Sequence, residues 1–128
     1  MSHISLLKVA IQNPNLSLLR EAVKALASEM GAELVDEVED YYGNRVKVPV
    51  GIRSKVFSRG VGVVVEDGAV RLKGDFYLVP QNEVERLQKL LVRNYVTLAT
   101  VSSLRSLGYQ VQARKVMGHV YIKAVNYA

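Results

Sequence analysis

The chain has 128 residues, of which 49% are hydrophobic and 23% charged; it has no cysteine and a formal net charge of +5. That length predicts a single domain over residues 1–128, able to bury roughly two-thirds of its unfolded surface without staples. The composition excludes a disordered chain, a collagen-like repeat and a disulfide scaffold, and the missing thiols exclude a thiolate nucleophile or a Cys-ligated metal.

His3 to Ile11 is short and apolar and reads as a buried strand. Asn13-Pro14-Asn15 supplies a cap and a proline suited to a first helical turn. Leu16, Leu19, Val23, Leu26 and Met30 then recur on one helix face, and Gly31 ends the helix as a left-handed cap. Ala32 to Asp40 is acidic and fits neither period clearly, and Tyr41-Tyr42-Gly43-Asn44 reads as a turn. Val46, Val48, Val50 and Ile52 alternate with Lys47, Pro49, Gly51 and Arg53. This period of two predicts a strand with one wet face. Pro49 cannot donate to a ladder, which places that strand at a sheet edge, open to a partner strand. Ser54 to Arg59 is a basic connection.

Gly60 to Glu66 and Ala69 to Leu78 flank Asp67-Gly68, a hairpin signal. On the second arm Val70, Leu72, Gly74 and Phe76 share the core face, with Arg71, Lys73, Asp75 and Tyr77 on the wet one. Pro80 closes it. Asn82, with Glu85 three residues on, predicts a capped helix running to about Leu107, with Val84, Leu87, Leu91, Tyr95, Leu98, Val101 and Leu104 as its stripe. Gly108 stops it. Tyr109 to Val116 and His119 to Asn126 read as two strands around Met117-Gly118. The order predicts an α+β two-layer sandwich, a mainly antiparallel sheet with two helices on one face, ferredoxin-like in spirit.

The charge is uneven. Residues 1–42 carry −4, residues 43–77 carry +4, and from Arg86 onward there are seven basic side chains and no acidic one. Such polarity attracts an anionic partner, although a solvated surface has the same composition. The acidic run Glu33, Asp36, Glu37, Glu39 and Asp40 is equally suited to the basic half of a neighbouring subunit. Arg45, Lys47 and Arg53 share a strand face, followed by Lys55 and Arg59. Arg114 and Lys123, near Tyr121, form a second basic group with an aromatic. Basic side chains beside an aromatic are the minimum for binding single-stranded nucleic acid. These eight residues are the candidate nucleic-acid or partner contacts.

The chain resembles the ycf thirty-five family of plastid and cyanobacterial open reading frames. The resemblance rests on Met1-Ser2-His3-Ile4 at the start, Gly31 after the first helix, and Gly62, Gly68 and Leu72-Lys73-Gly74-Asp75 in the central hairpin. It continues with Tyr95 thirteen residues before Gly108-Tyr109-Gln110-Val111, and with Tyr127 near the end. Ile4 stands where the family has Phe, and the family's tryptophans are absent. Members are often encoded near ATPases of the AAA class, so the resemblance implies an accessory role. It brings no catalytic residue.

No motif in the chain carries chemistry. His3 and His119 form no helical metal pair, Ser58, Ser102 and Ser103 lie outside a Gly-x-Ser-x-Gly setting, and Gly60-Val61-Gly62 lacks the third glycine and following helix of a phosphate loop. A bulge or a turn into the hairpin suits Gly60 and Gly62 better. The acidic cluster lacks calcium-loop spacing. No enzyme activity, cofactor or metal is expected. The N-terminus lacks the cationic region of a signal peptide, and Asn94 to Leu104, the longest uncharged stretch, is too short to span a bilayer. The expectation is a cytoplasmic interaction or adaptor protein with a protein partner or a second copy of itself and no membrane. Nucleic-acid binding is the alternative, and a small-ligand sensor with a pocket at a sheet dimer interface is a third reading.

Overall fold

The computed structural model describes residues 3–126. The Met1-Ser2 start and Tyr127 therefore lie outside the described residues. The elements are β1 (Ser5–Gln12), α1 (Leu16–Met30), β2 (Glu33–Glu39), β3 (Arg45–Arg53), β4 (Val61–Glu66), β5 (Ala69–Gly74), α2 (Gln81–Ser106), β6 (Gln110–Val116) and β7 (His119–Val125). The first five strands form one antiparallel sheet in the order β1-β5-β4-β3-β2, and β6 and β7 form a two-stranded ribbon of their own. The α+β class with an antiparallel sheet and two helices is as expected.

Register sets the core. Leu7, Leu72 and Val63 are paired across β1, β5 and β4, and Ile52 pairs with Val61. That face meets Leu19, Val23 and Leu26 of α1 and Val84, Leu87 and Leu91 of α2 in one buried cluster. Phe57, from the basic connection, joins it, so that loop is pinned rather than free. Asp67 and Gly68 both have positive φ, 52° and 75°, the twist a two-residue hairpin needs. Met117 and Gly118 repeat it in the ribbon.

The helix ends follow local chemistry. Asn15 caps α1 by accepting from the Leu18 N–H at 3.0 Å, and Gly31 takes φ 64° at its end. Pro14 precedes that cap instead of entering the first turn. The expected Asn82 cap does not form. α2 starts two residues earlier, behind Pro80, and no side chain caps it. Pro80 is restricted to an extended φ and its carbonyl already accepts from Glu83 and Val84, so the start is set by backbone. The Tyr95 hydroxyl accepts from the Asn15 N–H at 2.8 Å and ties the start of α1 to the middle of α2. Beyond Leu91 the apolar stripe of α2 is only partly buried.

Three further expectations are corrected. The acidic segment after α1 is a strand, β2, at the sheet edge. β3 is therefore an inner strand. Pro49 sits in an irregularity where Val48, Pro49 and Val50 oppose Asp36 alone, and that is how a proline is accommodated off the edge. The open edges are β1 and β2. Finally, β5 ends at Gly74, and Asp75 is buried instead of wet.

The irregularity lets the distal part of the β2–β3 hairpin curl across the sheet face opposite the helices. Val48 lies against Gly62, where a Cβ would stand 2.5 Å from Val48 Cγ1. Val38 closes on Gly60 in the same way, and both valines are buried. Gly62 thus serves close approach, while Gly60, with φ 86° and its N–H donating to the Phe57 carbonyl at 3.0 Å, forms the expected turn into the hairpin. Gly62→Ala is expected to destabilise the fold by about 1–3 kcal/mol, the usual overpacking cost. Val48→Ala in the same chain opens the space, so denaturant unfolding of the double variant is expected to show less loss than the two single losses added.

Candidate functional site

The basic stripe of β3 faces the acidic run of β2 within one chain. Register places Arg53 beside Glu33, Lys47 beside Glu37 and Arg45 beside Glu39. Arg53 Nη2 reaches Glu33 Oε1 at 2.6 Å, Arg45 Nε reaches Glu39 Oε1 at 3.2 Å, and Lys47 Nζ lies 3.8 Å from Glu37 Oε1. Three residues of the acidic run, Glu33, Glu37 and Glu39, thus meet basic side chains of their own chain. Exposed pairs of this kind contribute little stability, but they cancel the local field. Lys55, beyond the strand, is exposed and has no ion-pair partner among the described residues.

Arg59 is withdrawn from the surface. Its guanidinium lies 3.6 Å from Asp75 Oδ1, stands 5.6 Å over the Tyr41 ring and donates to the Tyr77 carbonyl. Asp75 accepts from the Tyr41 N–H at 2.8 Å and the Tyr77 N–H at 3.0 Å. One buried carboxylate therefore joins the β2–β3 turn to the segment after β5. The same turn is braced from within: hydrogen bonds from Asn44 hold the Asp40 carboxyl below its usual range. The Tyr41 ring beside Arg59 meets Tyr42 and Tyr77 edge-on, and all three rings are exposed. The sequence hinted at this cluster only through the Leu72-x-x-Asp75 step.

The second basic group lies on the ribbon. Arg114 pairs in register with Tyr121, and Gln112 with Lys123, so Arg114, Tyr121 and Lys123 share one exposed face. The structure puts these three together and apart from the β3 stripe, which belongs to another sheet.

The opposite ribbon face turns to the body and bounds a groove of about 740 Å³. One wall is Lys8, Val9 and Ala10 of β1; the floor is α2, with Lys89, Val92 and Val96; the far wall is Val120 and Ile122 of β7. No β5 residue lines it, so it lies off the free edge of β1. Sequence reasoning missed this groove, because its lining comes from three separated segments.

A single carboxylate secures the ribbon that walls it. Glu29 of α1 accepts from Arg93 Nη2 of α2 at 2.5 Å and from Lys115 Nζ of β6. Partial burial pushes the Glu29 carboxyl up, but the hydrogen bonds and charges of Lys115 and Arg93 outweigh it and hold the pKa at about 2. Among the described residues, no group of three or more His, Asp or Glu side chains is arranged to hold a metal ion. No helix among them is long and apolar enough to cross a membrane. No family model, curated protein or solved structure matches the chain.

Because the folded pKa of Glu29 is depressed, its contribution is fully present above the ordinary value near 4.5 and is lost as pH falls toward 2. Between those limits Glu29→Gln is expected to flatten the acid limb of the stability curve. Ribbon amide signals, followed by NMR against pH, are expected to shift with the wild-type carboxyl and to lose that transition in the variant.

Proposed function

We propose that this chain is a non-catalytic protein-interaction module and that its docking site is the groove between β1, α2 and β7. The observation that carries the reading is the groove itself: an apolar floor beside a strand edge that no other strand covers. Exposed apolar surface of that kind marks an interaction site more often than it marks packing. The resemblance to the ycf thirty-five family adds the class of partner, an ATPase of the AAA class to which this chain is accessory in the cytoplasm. Val96 is 52% exposed in the groove floor, so its substitution leaves the core intact. Co-purification with such an ATPase is expected for the wild-type chain and lost, by tenfold or more in retained partner, for Val96→Asp. Equal retention by the two chains places the docking surface elsewhere.

The ribbon favours nucleic-acid binding as a second reading. Arg114, Tyr121 and Lys123 share an exposed face, in a stretch without a single acidic residue. On this reading Arg45, Lys47 and Arg53 contribute little, since β2 already neutralises them. Fluorescence anisotropy with labelled single-stranded DNA at several salt concentrations tests it. Neutralising both Arg114 and Lys123 is expected to reduce the log–log salt slope by about 1.4, while Arg53→Ala leaves it unchanged. A slope insensitive to both changes removes the ribbon as a binding face.

A further inference from the structure

We infer that the occupant of the groove is an extended acidic and apolar segment of a partner chain, lying as an added strand along β1 with β7 on its other side. This rests on the interaction reading and names the chemistry of the partner.

The first argument is backbone. β1 ends the five-stranded sheet, so the groove runs along a strand that lacks a neighbour on one side, with Val120 and Ile122 of β7 across from it. Unpaired strand edges present alternating donors and acceptors, which another extended backbone satisfies and an acyl chain does not. β1 is regular from Ser5 to Lys8 and shifts register between Lys8 and Gln12, so the added strand pairs along the regular part and enters the groove at Lys8. The Lys8 carbonyl accepts from the Gln88 side-chain amide at 3.5 Å, the outer limit of a hydrogen bond, so an incoming backbone N–H competes well there.

The second argument is charge. Lys8 and Lys89 line the groove without an ion-pair partner among the described residues, and no acidic side chain lines it. Arg93 is already committed to Glu29. A segment carrying carboxylates complements this rim, and a basic one is repelled. The third argument is the floor. Val92, Val96, Val120 and Ile122 form an apolar surface that takes alternate side chains of a strand, leaving the intervening ones for the lysines. A strand whose apolar and acidic residues alternate matches both surfaces at once.

The test uses the whole chain and blocked hexapeptides of alternating glutamate and valine. Controls are the lysine–valine counterpart and the glutamate–valine peptide methylated on alternate backbone nitrogens. Amide NMR titration is expected to show the glutamate–valine peptide bound at least tenfold more tightly than either control, with slowed exchange at Lys8, Val9 and Ala10. Lys8→Glu with Lys89→Glu is expected to reverse the charge preference. Equal binding of the lysine peptide overturns the acidic partner, and equal binding of the methylated peptide overturns the added strand. No binding of any peptide overturns both. Tighter occupancy by decanoate, or a micromolar self-dimer abolished by Val96→Asp, also overturns the inference by showing a different occupant. The interaction reading is separable: if Val96→Asp still releases the ATPase while the peptides fail, the docking site stands and only the partner's chemistry is wrong. If neither depends on Val96, both fall.

Discussion

The missing side chain at Gly62 is the constraint on which the architecture turns. A sheet with helices on one face ordinarily leaves its other face to water. Here Val48 fills the space a Cβ would occupy on β4, and the distal β2–β3 hairpin folds over the second face. That curl has consequences at a distance. It brings Tyr41 onto Asp75, which is why a carboxylate expected in solvent is buried under an arginine. Removing one partner of a buried ion pair typically costs about 3–5 kcal/mol, so the Arg59–Asp75 contact is a lock and not a free recognition element. With helices on one face and a hairpin on the other, approach to the sheet is left to its edges, β1 and β2, and the groove lies at β1.

The same curl organises the charge. β2 is acidic and β3 is basic, and their register sets opposite signs side by side. The excess of positive charge is then felt where the sequence has no acidic side chain, from Arg86 within α2 to the ribbon. Two surfaces share that field. One is the outer ribbon face, polar with a tyrosine; the other is the groove, apolar with lysines on its rim. Apolar surface gives affinity through burial, while like charges on a rim mainly choose the partner and speed its arrival. This division favours the groove as the docking site.

Much of the fold was legible in the chain. The α1 stripe with Gly31, the Asp67-Gly68 hairpin and the Met117-Gly118 ribbon each combine a clear period with a punctuating residue. β2 was not, because its charged residues occupy both parities around Val35 and Val38 and blur the alternation. Pro49 misled for a definite reason. Proline excludes a donor, and an edge is only one way to supply that exclusion; a bulge is another. The basic residues were recognised individually, but their partners across β2 depend on register, which no local pattern specifies. The groove was beyond reach for the same reason, since Lys8, Val96 and Val120 become neighbours only when three segments pack.

Glu29 shows how such a site is held in shape. The ribbon has no strand contact with the main sheet, so its position rests on apolar contact with α2 and on Lys115. The carboxylate that receives Lys115 comes from the last turn of α1 and also receives Arg93 from α2. One acidic side chain thus neutralises two cations of the acid-free half and joins three elements that are distant in the chain. Because the pair is only partly buried, its energy is modest, but it ties the ribbon to α1 as well as to α2. A partner that enters between the β1 and β7 walls meets a ribbon held by apolar contact with α2 and by one polar point. That is a suitable construction for gripping an extended segment rather than a rigid surface.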